Sequence, residues 1–140
     1  VFDVSKNFLD NKKLKADYDF LLVDFHGEIT SEKMAIGHFF DGKATLVVGT
    51  HTHVPTNDCR ILVKGTAYQT DAGMCGDYNS VIGMNKEISL NRFLKKTTDK
   101  NYPSNGNACL CGVIVDADDN TGLANKAESF IFNGEHKEGI

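Results

Sequence analysis

Two short apolar runs set the strongest limit on what this chain can fold into. Asp19-Phe-Leu-Leu-Val-Asp-Phe25 and Ala44-Thr-Leu-Val-Val48 are each nearly continuous in apolar residues. That is the pattern of strands covered on both faces, not the alternation of half-exposed ones. Between them, Thr30 or Ser31 is placed to cap a helix running to about Phe40, and Gly42 suits its C-terminal end. Strand, helix, strand at these lengths is a βαβ unit, which implies parallel pairing.

The rest of the chain reads as a mixed α/β sheet protein without internal repeats. Val1 to Lys15 is lysine-rich and irregular, with one short helix expected near Asp10. Arg60 to Val63 and Thr66 to Thr70 read as strands joined at Lys64-Gly65, and glycine-rich Asp71 to Gly83 as an ordered loop. Asn85 is placed to cap a helix over Lys86 to Lys96, and the polar stretch Thr97 to Asn107 reads as an exposed linker. Cys109 to Asp116 and Leu123 to Phe132 flank Asp118-Asp-Asn-Thr-Gly122, a turn signal that predicts an antiparallel hairpin.

Composition excludes several classes. A chain of 140 residues suits one domain, and 41% hydrophobic with 24% charged residues is not a disordered composition. The net charge of −4 argues against a broad nucleic-acid or anionic-membrane surface. It is compatible with a phosphate substrate where metal ions supply positive charge. No apolar run approaches the ~20 residues of a membrane helix, and Val1 to Lys15 does not resemble a signal peptide. The four cysteines read as small buried side chains, with Cys109 and Cys111 on one strand face, and fit a reducing, cytoplasmic setting. Gly37 to Ala44 nearly matches a phosphate-cradling loop but lacks the final Ser or Thr and follows a helix instead of a strand. Neither Gly-x-Ser-x-Gly nor Gly-x-Gly-x-x-Gly occurs.

Three histidines stand just past the buried strands. His26 follows Leu21 to Phe25, and His51 and His53 follow Ala44 to Val48. Carboxyl ends of parallel strands are where such sheets bind ligands. A single loop histidine is more often simply polar. Three at equivalent strand ends point instead to a metal site, since neutral imidazole binds Zn, Fe and Mn. His38, beside Phe39 and Phe40, is expected to pack, and His136 in the charged tail to be solvated.

Val23-Asp-Phe-His-Gly-Glu-Ile-Thr-Ser-Glu-Lys33, Asp41-Gly42, Val47-Val-Gly-Thr-His-Thr-His-Val-Pro-Thr56 and Gly65-Thr-Ala-Tyr-Gln-Thr-Asp-Ala-Gly-Met74 resemble the bacterial YmdB-like metallophosphoesterases, and Asp77 to Met84 continues the likeness. The resemblance implies a calcineurin-like α/β sandwich of mixed sheets flanked by helices. It implies two divalent ions (Mn, Fe or Zn) that activate water to hydrolyse phosphodiesters such as 2′,3′-cyclic nucleotides. It makes His26, His51 and His53 metal ligands. The family's earlier acidic ligands and its Gly-Asn-His segment, which carries the catalytic histidine, have no counterpart here, and Val1 is not an initiator methionine. Residues 1–140 are therefore expected to be the C-terminal half of one domain, inactive without the N-terminal half.

Asp24 and Glu28 flank His26 and are candidates for fixing its tautomer, although Asp24 could equally turn away. Thr52, Gly73 and Met74 are candidates for contacts at the mouth of the site, and Gly73 to Asn79 could meet the substrate's base or sugar or be a plain turn. An apolar edge left by the missing half is expected to drive self-association, and the chain is expected to be a homo-oligomer. The competing reading is a non-catalytic regulatory or scaffold protein whose metal site is structural.

Overall fold

The structure, a computed structural model, describes residues 1–96 and 98–133. Helix α1 spans Phe2–Asn11, strand β1 Leu22–His26, helix α2 Thr30–Phe40 and strand β2 Leu46–Thr50. Strands β3 (Arg60–Ile61), β4 (Ala67–Gln69) and β5 (Gly76–Asp77) come next, then helix α3 (Lys86–Phe93) and strands β6 (Ala108–Ala117) and β7 (Ala124–Phe132). One sheet has the order β1-β2-β4-β3 and the other β5-β6-β7. β1, β2 and β4 run parallel and β3 antiparallel to β4, and the second sheet is antiparallel. The mixed α/β architecture of two sheets and helices is the one expected.

Cover on both faces explains the apolar runs. On one face Ile36 and Phe40 of α2 pack with Ala44, Val47, Leu62 and Tyr68. On the other, Leu46 and Ala67 meet Val113, Val115, Ala124 and Ala127 of the hairpin. β4 is buried throughout, and β2 nearly so. β1 departs from expectation: among the described residues it pairs only with β2, and it alternates between half-buried and exposed, with Leu22 62% exposed. Its run reads as doubly covered, yet among the described residues it is the sheet's edge.

Local signals fare unevenly. Asn85 caps α3 as expected, its Oδ1 accepting from the Ile88 N–H at 3.0 Å, but the helix ends at Phe93 instead of Lys96. α2 begins at Thr30 behind Ile29, and neither Thr30 nor Ser31 caps it. The short helix expected near Asp10 is α1, which extends over 10 residues back to Phe2, and Phe2 docks edge-on against Phe39 of α2 at 5.6 Å between ring centroids. The hairpin turn forms as read, Asp118 Oδ1 accepting from Asn120 and Thr121 N–H groups at 3.0 and 2.8 Å. The 101–104 stretch is tied to the 83–85 stretch through Asn85 N–H to Tyr102 O and Ser104 N–H to Gly83 O, both 2.9 Å. Thr97 lies outside the described residues. Cys109 and Cys111 are buried as expected, whereas Cys75 is exposed. His38 is exposed as well, so it does not pack as its aromatic neighbours suggested, because α2 turns residues 33, 36, 37 and 40 to the core. His136 lies outside the described residues. No helix among the described residues is long and apolar enough to cross a membrane.

Gly49 positions the loop that leaves β2. A Cβ there would lie 1.8 Å from the Thr70 carbonyl oxygen, so only glycine lets β2 and the segment after β4 approach. Gly49→Ala is expected to lower the unfolding free energy by about 3 kcal/mol, the upper end of ordinary overpacking because the obstacle is backbone. Urea unfolding of the whole protein checks this, and an unchanged midpoint would contradict it.

Candidate functional site

The parallel register sets the site. His26 at the end of β1 stands opposite Thr50 at the end of β2, so the next residue, His51, comes beside it. His51 Nδ1 lies 3.0 Å from His26 Nε2, with ring planes at 79°. Both rings are exposed at the carboxyl end of the sheet.

A hydrogen-bond chain orders their protons. Thr50 Oγ1 donates to Asp24 Oδ1 at 3.1 Å. Its hydroxyl proton is then engaged, so at 3.2 Å it accepts from His26 Nδ1–H. A neutral ring protonated at Nδ1 carries its lone pair at Nε2, which here faces His51 Nδ1. His51 Nδ1 therefore donates, leaving the His51 Nε2 lone pair outward. Asp24 thus acts on His26 through Thr50, not directly. Glu28 is exposed and, among the described residues, makes no side-chain hydrogen bond.

His53 is oriented separately. Its Nδ1 lies 2.8 Å from the Ile82 carbonyl oxygen. A carbonyl only accepts, so Nδ1 carries the proton and Nε2 the lone pair. His26 and His51 are brought together, but among the described residues no group of three or more His, Cys, Asp or Glu side chains is close enough to hold an ion.

The loop bearing His51 and His53 is held by a buried ion pair. Lys33 Nζ and Asp71 Oδ2 are 2.8 Å apart, with side chains 1% and 0% exposed. Asp71 Oδ2 also accepts the Thr52 N–H at 2.9 Å, and Oδ1 accepts the Gly73 N–H at 2.9 Å. One carboxylate therefore joins α2, the histidine loop and the segment after β4. The loop needs that grip: His51 and His53 have φ of +120° and +65°, and such conformations cost about 1–3 kcal/mol each unless their surroundings impose them. Burial pushes the Asp71 carboxyl up, but the Lys33 ammonium and the Thr52 and Gly73 N–H groups outweigh it, and the net shift is down.

The other candidates are largely engaged locally. Thr52 Oγ1 donates to the Val54 carbonyl at 3.1 Å and accepts its N–H at 3.2 Å. Met74 N–H donates to the Tyr78 hydroxyl at 3.1 Å. Lys33 and Asp71 were not singled out in the sequence. A signal existed: Lys33 falls in the helical stripe shared by Ile36, Gly37 and Phe40, all buried.

Residues 1–130 match the family described as YmdB-like protein. The chain is 44% identical over 137 residues to the 2′,3′-cyclic-nucleotide 2′-phosphodiesterase of Bacillus subtilis (strain 168), covering 91% of this chain and 52% of the relative. A novel phosphatase from Mycoplasma pneumoniae superposes with a TM-score of 0.82 at 45% identity, over 94% of this chain and 46% of that one. A hypothetical protein from Thermus thermophilus gives 0.83 at 39% identity, over 94% and 50%. The chain spans about half the length of these relatives.

Lys33→Met leaves the Asp71 charge buried and unpaired and is expected to cost about 3–5 kcal/mol. Because the folded carboxyl is depressed, its stabilisation is full above the ordinary aspartate value of about 4 and fades as pH falls through the lower folded value. Unfolding free energies of wild type and Lys33→Met should therefore converge below about pH 4. Curves that stay parallel to pH 2 would contradict the role given to this pair.

Proposed function

Because the chain belongs to the YmdB-like family, we propose that it is the C-terminal half of a metal-dependent phosphodiesterase acting on phosphodiesters such as 2′,3′-cyclic nucleotides. The observation that carries the reading is the approach of His26 Nε2 to His51 Nδ1 at 3.0 Å on the carboxyl side of a parallel sheet.

The donors fit divalent metal. Two imidazole nitrogens on one four-coordinate ion at ~2.0–2.1 Å stand ~3.3 Å apart, close to the 3.0 Å between His26 Nε2 and His51 Nδ1; an ion held there would take the place of the hydrogen bond between the rings, with the His51 proton moved to Nε2. His26, His51 and His53 are the residues that would hold Mn, Fe or Zn. Such ions supply positive charge to the phosphodiester and lower the pKa of the attacking water. This chain's own groups do the positioning: Asp24 and Thr50 hold the His26 ring, the Ile82 carbonyl holds His53, and Asp71 fixes the backbone between His51 and His53. Three neutral imidazoles cannot balance two ions, so acidic ligands and the proton donor come from the remaining half of the protein. Four unpaired thiols suit a cytoplasmic setting, and exposed Phe20 and Leu22 suit docking of that half or self-association.

With manganese added, the whole protein should hydrolyse 2′,3′-cyclic AMP. His26→Ala and His51→Ala should each reduce kcat/KM at least about a hundredfold, with less bound metal, whereas His38→Ala should retain nearly all activity. Assays paired with metal quantification check this; full activity and unchanged metal content in His51→Ala would contradict it.

A further inference from the structure

We propose that the cavity beside His53, lined by Val81, Ile82, Met84, Arg92, Phe93 and Asn101, receives the nucleobase of the substrate. The proposal rests on the phosphodiesterase reading above and names the part of the substrate that reading leaves unassigned.

The cavity measures about 370 Å³, within the roughly 300–1,000 Å³ of small-molecule sites. It is joined to His53, one of the candidate metal ligands, by one residue. Ile82 lines the cavity, and its carbonyl accepts the His53 ring proton at 2.8 Å. A group lodged here therefore sits one residue from His53.

Ile82 is also the wrong residue for its backbone. Val81 and Met84 exchange N–H to carbonyl bonds of 3.0 and 2.9 Å, and between them Ile82 and Gly83 have φ of +49° and +90°. This is a two-residue turn of the kind that favours Asn-Gly. A β-branched residue in the left-handed region is strained, and packing does not reward it, since Ile82 is 55% exposed. A side chain kept against its backbone preference, half in water, suits contact with something outside the chain.

The remaining walls have the chemistry of a base. Phe93 presents its ring to solvent, 81% exposed, at the cavity's edge. Arg92, next to it, is exposed too and lines the same cavity. Val81 and Met84 add apolar surface. Asn101, whose side-chain amide donates to Ser89 Oγ at 3.0 Å, adds a polar edge. Bases are held by stacking on aromatic rings and guanidinium planes, with hydrogen bonds at their edges.

The test uses the whole protein with manganese and two substrates, 2′,3′-cyclic AMP and its base-free counterpart, 1-O-methylribose 2′,3′-cyclic phosphate. Adenosine binding to metal-free protein is measured by calorimetry alongside. Phe93→Ala should lower the ratio of the two kcat/KM values about tenfold and weaken adenosine binding to match. Ile82→Asn should do the same while leaving the thermal midpoint equal or higher, because the turn is relieved; a purely structural Ile82 would instead lower the midpoint. An unchanged substrate ratio in both variants overturns the base pocket even if hydrolysis is robust. If the wild type hydrolyses neither substrate, the phosphodiesterase reading fails. The pocket is then judged by adenosine alone: binding that Phe93→Ala weakens supports it, and absent or unaffected binding overturns it.

Discussion

The buried contact between Lys33 and Asp71 is the constraint on which the rest of this site depends. Neither charge can leave without stranding the other in the interior. The carboxylate oxygens of Asp71 also accept the Thr52 and Gly73 N–H groups. Those bonds hold a loop whose two histidines adopt left-handed φ values that unsupported chain would abandon. A hydrophobic pair of similar volume could hold α2 against the sheet as well. It could not bind the backbone on either side of the site, which makes the ion pair a device for shape.

From that anchor the arrangement builds in steps. Parallel pairing sets His26 beside Thr50. Gly49 allows the chain after β4 to come close enough for Asp71 to reach Thr52. The hydrogen-bond chain from Asp24 through Thr50 to His26 and His51 then orders ring protons at the surface. Burial is concentrated beneath, and the exposed ends carry the groups suited to chemistry.

The βαβ unit, the hairpin and the Asn85 cap were legible because each has a local signal: an apolar run between turn residues, an Asx-rich turn, a capping side chain. The edge position of β1 was not, since its apolar run is indistinguishable from that of β2. Only the pairing order, a long-range fact, separates them. Among the site residues, the closeness of His26 and His51 was legible from strand-end placement. The Lys33–Asp71 contact was not, because 38 residues separate its partners and a lysine in a helix usually reaches solvent. The turn at Ile82 was missed for a related reason: Asn or Gly marks such turns, and isoleucine conceals one.

The most direct test is anomalous diffraction from crystals of the whole protein soaked in manganese. An anomalous peak within bonding distance of imidazole nitrogens of His26 and His51, in place of the hydrogen bond between the two rings and with His26 still held by Thr50, is the result expected. Manganese bound elsewhere, with His26 and His51 still joined only to each other, would contradict the account.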